Sequence, residues 1–473
     1  MTSGVLGVAS VLALSVTVLA MPTYNVMDNR VINFLVNNHS KKSNMPLSFK
    51  IPDGFWAEVG SDPDNVTDTA ERILATYGLN LYDGACWQIA LALGSQYGLT
   101  KQHTETLLSG KIGEMGLLAS NYKTFKYGDH GYSGDNPYMF RMTCDSYSNI
   151  DPLTGKAVSW MDWKPVTGEN AWLYLLGPLQ AYILNTERNG GRYDINAPEV
   201  QLALRALDVF KAMQSPIGAV YYAPNGTYHL TYPTEIAAEN NISLYGGLHL
   251  LREILMKLGD PTGKQKIVID LITGIARFMK DYAYDKENGV FYQGGYIDGS
   301  GKFVPNPVFP LDVQTWGLCV FGEQTDSWFG FGTSYNIWQI SKKRSGSFDA
   351  EGNIQGVGYT DGHDIVSGEW TLGAITMCRI LAKQYETSKP EWSKDLLRDA
   401  DLMRQYLESQ RVDLSDSEVA YRYANKRYAI PFGWNANPVP STASTAWVAM
   451  VDANFNPFYH TGEYLQPAPI AFL

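Results

Sequence analysis

Four acidic residues, Glu169, Glu239, Asp312 and Glu369, each stand at or near the start of an apolar run with the look of a helix. Two carboxyl groups of unequal proton affinity, one able to donate a proton and one ionised to activate water, are what acetal hydrolysis requires. Glu239 lies in an apolar setting, with Ile236, Ala237 and Ala238 before it and Ile242 and Leu244 after. Desolvation there raises a carboxyl pKa, so Glu239 is the expected general acid. The ionised partner is expected from the polar, glycine-rich stretch 361–369 (DGHDIVSGE), with Asp364 or Glu369 ahead of Asp361. Asp312 is the reserve and otherwise a ligand for substrate hydroxyls, together with Glu169, Asn240 and His363. Trp163, Trp172, Tyr245, Trp316 and Trp370, with Trp160 nearby, are the expected sugar platforms, since aromatic rings offer a flat apolar face with a polar edge. Capping of a helix N-terminus would account for any one of these acids. As a set at comparable positions they describe an acidic cleft.

Other chemistries lack their residues. The chain carries no GxSxG, P-loop, HExxH or Rossmann glycine pattern. Seven dispersed histidines do not form a metal cluster, His363 beside two aspartates being the one candidate, and neither metal nor cofactor is expected.

Such acids need elements that bring them to one axis. Six apolar runs begin near Asp83, Glu169, Glu239, Asp312, Ser367 and Ser441, each apolar on nearly all sides with small residues interspersed, as in a helix buried on both flanks. Between them Asp68–Tyr77, Pro198–Gln214, Lys264–Tyr284 and Lys394–Gln410 are amphipathic and read as outer helices. Alternation of buried and amphipathic helices predicts an all-α closed barrel of about twelve helices in two rings; an open solenoid would have shorter, more uniform repeats. Long loops at Tyr122–Trp163, Tyr221–Pro233, Gly289–Pro310, Ser345–Gly362 and Val419–Pro440 all precede inner runs. They put the cleft, and small β-hairpins, at the end where inner helices start.

Composition agrees with a folded protein that avoids polyanions. The 473 residues are 45% hydrophobic and 18% charged, with a net charge of -11 and no basic patch, which argues against nucleic acid. Residues 1–20 read as a signal peptide, leaving 21–473 as one catalytic domain, secreted, without stable membrane association and monomeric. Secretion gives meaning to sequons at Asn38, Asn65 and Asn225, while the sequon at Asn241, beside Glu239, should stay bare. Cys86, Cys144, Cys319 and Cys378 form no CxxC pair, and buried free thiols are the simpler expectation.

The segment AAENNISLYGG resembles the acid-bearing inner-helix start, and STASTAWVAMVDANFNPF the last inner helix, of the six-hairpin (α/α)6-barrel glycosidases, a group with glucoamylase-like, endoglucanase and β-1,2-glucanase members. The resemblance covers nearly all of the chain after the leader. It implies an inverting hydrolase acting on a polysaccharide or oligosaccharide, a β-glucan being the favoured substrate. Two alternatives stand beside it: a non-catalytic glycan-binding protein, and a polysaccharide lyase or epimerase on the same toroid. A lyase needs a Tyr or His base and a basic surround for its uronate, and the inner-helix starts carry no Lys or Arg.

Overall fold

A computed structural model describes residues 27–117, 137–227 and 230–460. In chain order the helices are α1 (Asn29–Asn37), α2 (Phe55–Glu58), α3 (Val66–Tyr77), α4 (Leu81–Leu93), α5 (Tyr97–Ser109), α6 (Thr167–Ala171), α7 (Gly177–Arg188) and α8 (Pro198–Ala212). They continue with α9 (Ala238–Leu258), α10 (Gln265–Asp281), α11 (Leu311–Phe329), α12 (Thr333–Ser345), α13 (Gly368–Tyr385), α14 (Pro390–Leu407) and α15 (Thr442–Asp452). A π-turn, Trp172–Leu176, joins α6 to α7 into one continuous inner helix.

The inner helices α4, α6–α7, α9, α11, α13 and α15 each pack on the next, and α15 returns to pack on α4. The ring is therefore closed: the fold is an (α/α)6 barrel. Small residues let these helices approach. A Cβ on Gly177 of α7 would lie 2.8 Å from the Cα of Ala85 on α4, and one on Gly373 of α13 would lie 2.6 Å from Trp316 Nε1 on α11. Amphipathic α5, α8, α10, α12 and α14 cover the inner ring, and α1 fills the sixth outer place against α4 and α15. Val31, Ile32, Phe34 and Leu35 of α1 are buried there, and Trp87 Nε1 donates to the Leu35 carbonyl at 2.7 Å.

One expectation about the outer ring is corrected, and two outer helices went unread. Asp68–Tyr77 is helical as part of α3, but its buried face meets loops: Ile73 joins Met115, Met142, Cys144 and Trp160, and Ala75 joins Phe55, Trp56 and Val439. The outer helices α5 and α12 escaped notice because their apolar stripes are thin; α12 buries Ser334, Ile337, Trp338, Ser341 and Ser345.

Short antiparallel hairpins occupy the loops that lead into inner helices, as at 148–159, 294–306, 346–357 and 411–422. They are stitched to the helices by one repeated device, a polar side chain at the fourth helical position. Asn170 accepts from the Met139 N–H and donates to the carbonyls of Met139 and Val166. Asn241 does the same with Val220 and Ala237, and Gln314 with Phe291 and Pro310. Thr371 accepts from the Val357 N–H and Thr445 from the Tyr421 N–H. Each side chain gives a buried loop the partners its backbone would otherwise lack. Among the described residues no helix is long and apolar enough to cross a membrane.

Candidate active site

The stitches fix the first turns of the inner helices, and those turns carry the acids. Asp83, Glu169, Glu239, Asp312 and Glu369 stand in the first turns of five of the six. Glu239, Asp312 and Glu369 occupy the second helical position, two residues before the stitching Asn241, Gln314 and Thr371. In α6 that position is Gly168, where a Cβ would lie 2.4 Å from Asn240 Nδ2, and the acid moves one residue on to Glu169. The π-turn that comes after it alters the register of this helix alone.

The carboxyls feel one another around the axis. Burial, with the charges of Asp312 and Glu169, pushes Glu239 up to about 8, although Ser243 Oγ donates to its Oε1 at 2.6 Å. Ser243 Oγ in turn accepts from Trp172 Nε1 at 2.9 Å, so the acid is held by a two-bond relay. Burial, reinforced by Asp83, Asp312 and Glu239, pushes Glu369 up to about 8, against a hydrogen bond from Tyr82. Burial raises Asp83 and Asp312 to about 7. Glu169 is also raised by burial, but the Arg141 guanidinium and the Lys164 ammonium pull it back. Among the described residues no cation forms an ion pair with Glu239, Asp312 or Glu369.

One turn below lies an aromatic floor. Trp316 stacks on Trp447 at 5.8 Å, and Trp172, Tyr82 and Phe458 complete the cluster around it. Trp447 Nε1 donates to the Tyr82 hydroxyl at 2.6 Å, which fixes the Tyr82 ring beside Glu369.

Several expected site residues sit elsewhere or differently. Asp361 is exposed and clamped by Arg344 through bonds of 2.6 and 2.7 Å, outside the ring of mutually repelling acids. Asp364 and His363 are exposed on the same loop, and His363 Nδ1 lies 2.7 Å from the Gly346 carbonyl. Glu369, expected to stay charged in a polar segment, is only 4% exposed, because the loop ends at Asp364 and Ile365 to Trp370 dip into the core. The expected platforms Trp172, Trp316, Tyr245 and Trp370 are buried: the first two form the floor, Tyr245 packs on His249 and Phe321 deeper in the barrel, and Trp370 packs edge-on to Tyr359. Trp163 is half-buried against Phe140 and Tyr147, and Asn240 is buried against Gly168. Asp83, omitted from the acid set, was legible as the opening acid of the first apolar run. Arg141 lay in a loop with no periodic pattern to mark it.

Two further points bear on modification. Asn38 is buried, its amide donating to the Leu47 carbonyl and Thr442 Oγ1, so a glycan has no room there. Asn241 is buried in its stitch, and Asn65 is exposed as the N-cap of α3. All four cysteines are free and buried. Among the described residues no group of three or more His, Cys, Asp or Glu is arranged to hold a metal ion.

No protein-family model matches the chain, and no curated protein matches it. Among solved structures it is similar to a wild-type glycosidase, with a TM-score of 0.51 and 9% identity over 90% of this chain and 95% of that one. It is similar to a sugar epimerase from a ruminal bacterium, with a TM-score of 0.51 and 9% identity over 89% and 95% of the two chains. At such identity the likeness is one of fold, the (α/α)6 barrel.

Proposed function

We propose that the protein is a glycoside hydrolase in which Glu239 is the general acid and Glu169 the general base. The observation that carries this is the unequal treatment of one ring of carboxyls. Glu239 is held protonated to about pH 8 by burial and like charge, whereas Glu169, although burial raises it too, is the one ring carboxyl that cations pull back, through the charges of Lys164 and of Arg141, the latter ion-paired with Asp162. That is the division of labour acetal hydrolysis needs. Glu239 gives its proton to the glycosidic oxygen as the bond to the anomeric carbon breaks. Glu169 takes a proton from the water that attacks that carbon from the opposite face, and the anomeric configuration inverts. Glu369, Asp312 and Asp83 are left to bind substrate hydroxyls.

Buried carboxyls without ion pairs cost stability, and sites of that kind are where function concentrates. The surplus of acids disfavours uronates and suits a neutral polysaccharide such as a β-glucan. The similarity in fold to a glycosidase supports a sugar substrate, and the uncharged apolar run near the start of the sequence, read as a signal peptide, supports secretion, with a glycan at Asn65 or Asn225 in a eukaryotic host.

The test is incubation with glucans, mannans and uronans. New reducing ends with inverted configuration by NMR are the expected result. An isomerised sugar with no new ends would make the protein an epimerase, an unsaturated uronate a lyase, and tight binding without turnover a lectin-like protein.

A further inference from the structure

The hairpin Tyr428–Ile430/Trp434–Ala436 lies outside the machinery described so far, yet it is held with unusual care. Glu71 of α3 accepts from Arg427 Nη1 and Nη2 at 2.8 and 2.7 Å, from Asn435 Nδ2 at 2.9 Å and from Asn437 Nδ2 at 2.7 Å. A three-residue turn, Pro431 to Gly433, joins the strands, with Gly433 at φ 98°, where a side chain would be strained. This rigid support presents Trp434, which is 39% exposed. Its indole N–H is tied to the Tyr423 hydroxyl at 3.1 Å, so the ring is fixed while a face stays open.

The ring is also joined to the acids. Trp434 lies 6.0 Å from Phe432, Phe432 stacks at 6.3 Å on Trp370, and Trp370 is the next residue after Glu369 in the chain. Tyr359 touches both Trp370 and Trp434, at 4.8 and 6.5 Å, and closes the patch from below. A pre-oriented, partly exposed indole, continuous with the acidic ring through aromatic side chains, suits the apolar face of a pyranose.

We infer that Trp434, on its Glu71-clamped hairpin, is an accessory subsite that binds a sugar unit of the same chain some residues away from the bond being cleaved. The inference rests on the proposed glycosidase function and extends it: the substrate is a polymer, and its length is sensed at this hairpin.

The experiment compares wild type, Trp434→Ala and Trp434→Phe on gluco- and manno-oligosaccharides of two to six units, with thermal melts as the folding control. In Trp434→Ala the ratio of kcat/KM on the hexamer to that on the dimer should fall about tenfold, the scale of one lost stacking contact, mainly through KM. Trp434→Phe, which keeps an apolar face, should restore most of the ratio. Glu71→Gln should lower the same ratio by loosening the clamp, and it supplies the test if Trp434→Ala does not fold. An unchanged ratio, or an equal loss on every length, overturns the subsite and leaves the glycosidase proposal standing. No cleavage of any oligosaccharide by the wild type overturns the glycosidase proposal and the subsite together.

Discussion

At the scale of single residues, Glu239 makes the strongest claims. Glu239→Gln should lower kcat by about 100–10,000-fold with little change in KM, measured on whichever glycan the wild type cleaves. Activity of the wild type should decline as pH rises through about 8, where Glu239 loses its proton. Ser243 donates to the ionised form and so restrains that pKa. Ser243→Ala should therefore move the alkaline limb upward, an effect that loss of packing alone would not produce. Stability carries a second signature. The folded pKa of Glu239 is raised above its ordinary 4.5, so the folded state binds the proton more tightly, and a penalty grows as pH rises from 4.5 to about 8. Glu239→Gln removes that penalty, and its Tm should exceed that of wild type at pH 9 but not at pH 4. The desolvation of Glu239 was legible in the sequence, because its apolar neighbours announce it. Glu369 was misread for an instructive reason: glycines at 358, 362 and 368 suggest water access, but the chain turns inward at Ile365 and carries Glu369 into the core.

At the scale of elements, the stitching side chains explain how long loops still hold acids in register. Glu239-x-Asn241, Asp312-x-Gln314 and Glu369-x-Thr371 form an internal repeat of acid, any residue, polar residue. The pattern was visible but mute, since nothing in the sequence tells which loop backbone each polar side chain will meet. Asn241 is the plainest test: Asn241→Leu keeps the branched shape but strips partners from Val220 and Ala237. Leaving a buried N–H and carbonyl unpaired should cost about 1–3 kcal/mol in chemical denaturation. Activity should fall further than stability requires, because the first turn that carries Glu239 loosens. Amphipathic α8, α10 and α14 were legible from periodicity, whereas α5 and α12 were not, their buried faces being built partly from Ser and Thr.

At the scale of the whole molecule, alternation of buried and amphipathic helices was enough to imply two rings, but not which helix takes the last outer place. That place belongs to α1, whose nine residues are too short to show a repeat. Phe34 of α1, the helix that packs on the barrel's first and last inner helices, is fully buried, and Phe34→Ala should cost about 3–5 kcal/mol, read from urea midpoints. Acid should weaken the barrel as well. Burial lowers His249 to about 3 and His103 to about 4, so each withdraws stability as pH falls below 6.5, but the four raised ring carboxyls return stability over the same fall until about pH 4, and the histidine loss is uncovered only below that.

The bond from Trp447 to Tyr82 spans 365 residues. During synthesis Tyr82 leaves the ribosome early and waits for a partner near the far end of the chain. All five carboxyls are already made by then, but the Tyr82 ring beside Glu369 gains its Trp447 bond only when α15 docks. On the proposed function, cleavage should therefore appear only after α15 has docked. Refolding monitored by both circular dichroism and glycan cleavage should resolve the order: helical signal first, activity after it, and no activity at all from a chain stopped before Thr442.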